Sequence, residues 1–368
     1  MQRKKIITSA FSNLYTDQRI EKVCQTLYHH NYEIDLIGND WGGVGEMTRP
    51  YVFSRISLAS KTLKTAYLEF NWKLYWALYK RLKKDSNIIL HANDLDALLP
   101  NYLLSKKFSV PLVFDSHEIF SEMPSVQGRM SQKIWRYLQN TIVPNLKFMM
   151  TASKSYSDWF ENKYGIQSVF VQNAPKKLEL NSSIPTNKVK VLLYQGALNP
   201  FRGIDKAILA MHHLENVIFK IAGDGPIKKN LEDLVIKENL SHKVQFLGKL
   251  LPDDLRKITI TADLGFSIEE NGGESYLYSL PNKVLDSIQA RIPLVMANLP
   301  EMVRIKNQFD VGEIIQNHQP ETISKAIEKV LRKGRANYLS ELEKAANILC
   351  WENEEEKLLK LFKQASGL

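Results

Sequence analysis

Apolar positions in this chain fall into short β-rich runs separated by stretches in which they recur at helical spacing. Lys5 to Thr8, Glu33 to Ile37, Ile88 to His91, Pro111 to Phe114, Phe148 to Thr151 and Ser168 to Val171 read as strands. The alternation restarts with Val189 to Tyr194, Val217 to Ala222, Val244 to Phe246, Leu264 to Ser267, Pro293 to Met296 and Gly312 to Ile315. Strand and helix in alternation predict parallel, doubly wound α/β sheets, and the restart predicts two of them. Between them, Asn173 to Lys188 has neither period and holds two prolines and three asparagines, which reads as a linker. The expected organisation is a Rossmann-like domain over residues 1–173, a linker over 174–188 and a second such domain over 189–350. A C-terminal helix over 351–368 is expected to cross back to the first domain. Doubly wound sheets bind ligands outside the carboxyl ends of their strands, so two of them facing each other predict a cleft.

Length agrees with this division, because 368 residues exceed one ordinary core. No apolar run approaches the roughly 18 residues of a membrane span. Met1 to Lys5 leads into the strand-like Ile6-Ile7-Thr8 rather than a signal core, so a cytoplasmic location is expected. Cys24 and Cys350 stand apart without metal-ligand spacing and read as reduced thiols. The net charge of +9 is uneven: residues 1–185 hold 24 Lys/Arg against 16 Asp/Glu, and residues 186–368 hold 25 against 24. The first half therefore carries +8 and suits an anionic partner, for which a nucleic acid, a membrane surface and a phosphate-bearing substrate all qualify. Lys61 to Lys84 sharpens the membrane reading. Lys61, Lys64, Lys73, Lys80, Arg81, Lys83 and Lys84 interleave there with Tyr67, Phe70, Trp72, Tyr75, Trp76 and Tyr79. The competing reading is a helix that packs those aromatics into the core.

Three segments in the second half carry candidate chemistry. Gln195 to Gly203 joins a strand to a helix and brings Gly196 and Arg202 beside a helix start, a phosphate-binding arrangement. The next strand ends in Gly223-Asp224-Gly225-Pro226, where glycine permits close backbone approach and Pro226 suits a first helical turn. Leu280-Pro281-Asn282-Lys283 opens another helix, with Lys283 near its positive end and Asp286 one turn beyond Asn282. A diphosphate at that helix end would meet Arg202 and Lys283, and Asp286 would accept from sugar hydroxyls.

These segments, in this order, resemble the family 4 retaining glycosyltransferases of the GT-B fold. Val244-Gln245-Phe246-Leu247-Gly248 looks like the family's Val-x-Phe-x-Gly strand, and Val113 to Glu118 like its Tyr-Asp-Ser-His-Glu. Asp17-Gln18-Arg19 is similar to its Asp-x-Arg opening. The chain also departs from the family: Ala197 stands where many members have Arg. Tyr278 and Asp286 occupy the positions of its paired Glu, and Arg291 replaces a usual Gly.

The resemblance implies transfer of a sugar from a UDP- or GDP-linked donor, with retention, to a glycan or lipid-linked acceptor in cell-surface polysaccharide assembly. Arg202, Lys283 and the helix start would stabilise the departing diphosphate without a metal or other required cofactor. His117 and Glu118 emerge beyond a first-domain strand and would face the donor sugar, with a neutral His117 ring holding a hydroxyl. Asn13, Arg19 and Asp94 are acceptor-side candidates. Asp94-Leu95-Asp96 mimics a metal-binding motif but precedes a first-domain helix, so no metal site is expected. Gly42-Gly43-Val44-Gly45 lacks dinucleotide spacing and reads as an acceptor loop. The alternatives are a sugar-nucleotide epimerase on the same fold and a basic nucleic-acid-binding protein; no recognition motif supports the latter, and nucleic acid is not expected as a partner.

Overall fold

The computed structural model describes residues 3–14, 17–39, 48–180 and 187–367, and of Asn13 the backbone alone. Gly42 to Gly45 and part of the expected linker lie outside the described residues. The chain divides into two compact units, Met1–Asn173 with Glu354–Leu368, and Ala174–Asn353.

The first unit runs β1 (Lys5–Asn13), α1 (Gln18–His29), β2 (Glu33–Asn39), β3 (Val52–Ile56), α2 (Leu63–Leu82), β4 (Ile88–Asn93) and α3 (Leu95–Phe108). It continues with β5 (Leu112–Ser116), α4 (Met130–Ile142), β6 (Phe148–Thr151), α5 (Lys154–Tyr164) and β7 (Val169–Phe170). The strands pair in parallel in the order β3-β2-β1-β4-β5-β6-β7. The order reverses beside β1, which makes the carboxyl ends of β1, β4 and β5 the expected ligand edge. Central β4 and β5 are buried at every position, as helices on both faces of a sheet require. Helix starts follow local chemistry: the Asp17 carboxylate accepts from the Ile20 amide, and the Ser153 hydroxyl accepts from that of Tyr156.

Edge strand β3 has no counterpart in the pattern reading. Its Val-Phe-Ser-Arg-Ile run is buried only at Ile56, so neither alternation nor a continuous apolar run marks it. In α2 the buried stripe is Ala66, Phe70, Leu74, Leu78 and Leu82. Of the six aromatics in this helix, only Phe70 joins that stripe, whereas Trp72 is 65% and Trp76 42% exposed. Among the described residues, no helix is long and apolar enough to cross a membrane.

The second unit runs β8 (Lys190–Gln195), α6 (Ile204–Ala210), β9 (Val217–Ala222), α7 (Lys228–Lys237), β10 (Val244–Gly248) and α8 (Pro252–Thr261). Then come β11 (Leu264–Ser267), α9 (Glu274–Leu277), α10 (Asn282–Gln289), β12 (Leu294–Met296), α11 (Pro300–Gln308) and β13 (Gly312–Ile314). Helices α12 (Pro320–Lys333), α13 (Leu339–Ile348) and α14 (Trp351–Ala365) close the chain. The sheet is parallel, in the order β10-β9-β8-β11-β12-β13, and reverses between β8 and β11. Tyr194, Phe219, Phe266, Val284 and Ile288 lie in its core. Arg291 adopts a positive φ of 56°, so the departure at this usual Gly position falls on a left-handed turn. Arg335 closes that turn by donating to the carbonyls of Ala290, Arg291, Ile260 and Ala262.

From Glu354 onward α14 belongs to the first unit. The Gln172 amide and Thr26 hydroxyl donate to the carboxylates of Glu354 and Glu355, and the Phe362 ring meets those of Tyr32 and His91. Phe362 is fully buried. Phe362→Ala is therefore expected to lower unfolding free energy by about 3–5 kcal/mol, through lost burial and the cavity left behind. Denaturant unfolding measures this, and a loss below about 1 kcal/mol would show that the first unit does not depend on the helix.

Candidate functional site

In the second unit, the loops that follow β8 and β9 lie against each other. The Gly196 amide donates to the Ala222 carbonyl, the Leu198 amide to that of Asp224, and the Ile227 amide to that of Leu198. A Cβ on Gly223 would stand 1.9 Å from the Gly196 oxygen, and one on Gly225 would stand 2.5 Å from the Leu198 oxygen. Backbone contact between loops thus accounts for Gly223 and Gly225. Pro226 lies outside the expected first turn, since α7 begins at Lys228 with Ile227 as its cap.

Beyond the carboxyl end of β11, Glu269 is fully buried and accepts from the Ser267 hydroxyl at 2.7 Å. Two cations converge on it. Lys283 Nζ, in the first turn of α10, donates to Glu269 Oε1 at 2.5 Å, and Arg202 Nη1 lies 3.7 Å from the same oxygen. Each cation also covers an aromatic face: Lys283 lies 4.4 Å from the Tyr194 centroid and Arg202 4.6 Å from that of Tyr276. Burial opposes charge on both members of the central pair. It draws the Lys283 ammonium below its ordinary range despite Glu269, whereas for Glu269 burial is outweighed by Lys283 and Arg202, and the carboxylate is held low. Asp286 accepts from Gln195 Nε2 at 3.0 Å, and Gln195 Oε1 accepts from the Thr259 hydroxyl at 2.8 Å. Leu280 packs half-buried against the core, Pro281 caps α10 and Asn282 is exposed.

Arg202 and Lys283, both expected from sequence, therefore meet in one place. Glu269 was not expected. A carboxylate just past the end of a buried strand, Leu264 to Ser267, was the signal available.

In the first unit Arg19, expected on the acceptor side, is buried and occupied. Its Nε and Nη2 donate to the two oxygens of Asp115 at 2.9 and 2.7 Å, and Nη1 donates to the Val171 carbonyl at 2.6 Å. Asp115 is fully buried at the end of β5. His117 follows it. Its Nε2 lies 3.3 Å from Asp115 Oδ2 and 3.2 Å from Asn93 Oδ1, while Nδ1 lies 3.4 Å from Asp94 Oδ2. The His117 amide donates to Asp94 Oδ1 at 2.9 Å. Burial alone would lower the His117 pKa, but Asp94 and Asp115 overcome it and push the ring up to about 9. The ring is thus an imidazolium near neutrality, in place of the expected neutral hydroxyl-holding imidazole, because carboxylates face both nitrogens.

Asp94 adopts φ 60° and is tied to His117, which fixes an acceptor-side candidate beside the ring. Burial and Asp94 together raise the Asp96 carboxyl well above its usual range. Glu118 is half-buried, and its carbonyl accepts from the Ser116 hydroxyl. Among the described residues, no group of three or more His, Cys, Asp or Glu could hold a metal ion.

Two outcomes follow from the Arg19–Asp115–His117 network. Arg19→Met leaves Asp115 buried beside a single cation and is expected to cost about 3–5 kcal/mol of unfolding free energy. A loss under 1 kcal/mol, about the worth of a surface pair, would contradict the buried pair. Because the folded His117 pKa is raised above its unfolded value, its stabilisation is complete below about pH 6.5 and is lost as pH rises through about 9. The stability gap between wild type and His117→Asn should therefore be on the order of 3 kcal/mol at pH 6 and close by pH 10. A gap independent of pH would show that the ring is not charged in the fold.

Comparison with known proteins shows what these features are similar to. Residues 176–348 match the model of the glycosyl transferases group 1 family. Among curated proteins, the glycosyltransferase MJ1607 of Methanocaldococcus jannaschii, itself named uncharacterized, is 29% identical over 147 residues, 39% of this chain and 36% of the relative. The matches span 36% and 41% of the two curated relatives found, so about two-fifths of their length. Among solved structures, sucrose-phosphate synthase from Thermosynechococcus elongatus aligns over 98% of this chain and 99% of its own at TM-score 0.81 and 14% identity. Anabaena Alr3699/HepE, solved in complex with UDP and glucose, aligns over 98% and 100% at TM-score 0.73 and 14% identity. Residues 176–348 are thus similar to the glycosyl transferases group 1 family, and the fold is GT-B.

Proposed function

We propose that this protein is a glycosyltransferase that moves a sugar from a nucleotide-linked donor to a glycan or lipid-linked acceptor, with retention at the anomeric carbon. The observation that carries the reading is the convergence of Arg202 and Lys283 at the start of α10 within the family-matched segment. Two cations beside a helix start offset the charge that develops on a leaving diphosphate, and a site that is already organised pays little to reorient at the transition state. Asp286 serves the sugar hydroxyls, and the close-packed loop at Gly196 and Gly223 admits the nucleotide. A UDP- or GDP-linked donor is expected, and the UDP and glucose held by the Anabaena relative support the first of these. His117, Glu118 and Asp94, at the carboxyl ends of β4 and β5, form the acceptor side. Since side-chain cations take the role of a divalent ion, transfer should persist in chelator.

A thermal-shift series with UDP, GDP and their sugar conjugates tests the donor. A ligand bound only by the folded state raises the midpoint. Arg202→Ala is expected to weaken the ligand found by about 1.5–3 kcal/mol, the worth of a charge-assisted hydrogen bond. Wild-type affinity in that variant would sink the donor site, and epimerisation of the sugar nucleotide without acceptor would replace transfer by epimerase chemistry.

Membrane docking of the first unit belongs to the same reading, because a lipid-linked acceptor lies at a bilayer. Leu68, Trp72 and Trp76 of α2 and Met130, Ile134 and Tyr137 of α4 are exposed, and the Tyr67 and Trp135 rings, 5.2 Å apart, join the two helices. Exposed Lys61, Lys64 and Lys80 add charge suited to anionic lipid. Co-sedimentation with phosphatidylserine-containing vesicles at low salt is expected, with loss in Trp72→Ser/Trp76→Ser. Absence of wild-type binding would remove the membrane from the proposal.

A further inference from the structure

The least expected feature of the donor region is Glu269, a fully buried carboxylate beside the cations assigned to bind an anion. A carboxylate there repels a diphosphate, so its presence requires a reason. Burial of an unpaired carboxylate is costly, and replacing a buried pair by apolar groups is often no loss to stability. The ion pair is thus poorly explained as a fold-stabilising device.

Its geometry supplies a different reason. Lys283 is 8% exposed, and the charged or titratable groups that face it are Glu269 beyond β11, Arg202 in the loop after β8, Tyr194 on β8 and Tyr276 on α9. Of these only Glu269 carries negative charge at neutral pH. Burial and the Arg202 guanidinium both favour release of the Lys283 proton, whereas Glu269 opposes release. Ser267 holds the carboxylate by donating to its other oxygen, Oε2, which leaves Oε1 to face both Lys283 Nζ and Arg202 Nη1.

We propose that Glu269 is a positioning residue of the donor site: it keeps Lys283 in its charged form and aimed beside Arg202, so that the site meets a nucleoside diphosphate with both cations formed. The inference rests on the reading above in taking Arg202 and Lys283 as diphosphate ligands. Glu269 acts through Lys283 and has no contact of its own with the anion. Its negative charge is the cost of holding two like charges together in a buried place.

The test is calorimetric binding of UDP and of GDP to the full chain between pH 7 and 9. Without the carboxylate, Lys283 holds its proton less firmly in the free protein, and more of that proton must be taken up when the diphosphate binds. Glu269→Gln should therefore weaken binding about tenfold at pH 7, and the ratio of its Kd to the wild-type Kd should grow as pH rises. Ionisation of the nucleotide cancels in that ratio. Glu269→Asp, which keeps the charge one methylene farther back, should show a smaller shift of the same sign and serves if the Gln variant does not fold. In a Lys283→Met background, Glu269→Gln should cause no further loss. Wild-type affinity in both single variants, a weakening uniform across pH, or the same weakening in the Lys283→Met background would each overturn the proposal. If the wild-type protein binds neither UDP nor GDP, the donor reading falls and this inference with it. Wild-type binding with an unaffected Glu269→Gln overturns the inference alone.

Discussion

Charge buried at the carboxyl ends of parallel strands has to be compensated locally, because the strands themselves lie between two layers of helices and offer only apolar surroundings. Both units meet this constraint at their topological switch, and both meet it with a mixed cluster rather than a single pair. At β5 the Arg19 guanidinium and the His117 ring share the Asp115 carboxylate. At β11 Arg202 and Lys283 share Glu269. In each cluster one carboxylate is fully buried and two cations converge on it.

The clusters differ in what remains after compensation. In the first unit Asp94 and Asp96 add further acid beside His117, burial pushes both carboxyls upward, and the Arg19 donors go to Asp115 and a backbone carbonyl. That cluster is closed around the fold, with His117 and Asp94 as its partly exposed members at 15% and 22% of their side chains. In the second unit the balance is one carboxylate to two cations, with Arg202 20% exposed and each cation resting on a tyrosine ring. An aromatic face stabilises a cation without adding a full negative charge. A net positive site that is neither neutralised nor fully solvated suits an anion, and this imbalance, more than any single side chain, distinguishes the two edges.

Most of the architecture was legible because parallel strands covered on both faces are continuous apolar runs, and twelve of those runs coincide with strands. The exception, β3, is an edge strand buried at one position, so packing gave its sequence no pattern to keep. The site was legible in part. Arg202 and Lys283 stood in loops that announce helix starts, whereas Glu269 lies in Ser-Ile-Glu-Glu, where sequence cannot tell a fully buried carboxylate from its half-buried neighbour Glu270. The partner of Arg19 was hidden for a related reason: at the first turn of α1 nothing in the local sequence points to Asp115, 96 residues away, which only the fold brings against it.

The glycine motifs show how weight within a motif should be assigned. Gly223 and Gly225 look like ligand-contact residues, but the backbone of the neighbouring loop already forbids a side chain at either position. Their presence follows from loop packing whether or not a nucleotide binds. The cations carry no such structural necessity, since α10 would begin equally well with a neutral residue in place of Lys283, and a buried ammonium is a liability without a partner. Residues that the fold requires report on the fold. Residues that the fold would be better without, and that are nonetheless supplied with a partner, are the ones on which a proposed site can rest, and in the second unit Lys283 and Glu269 are of this kind.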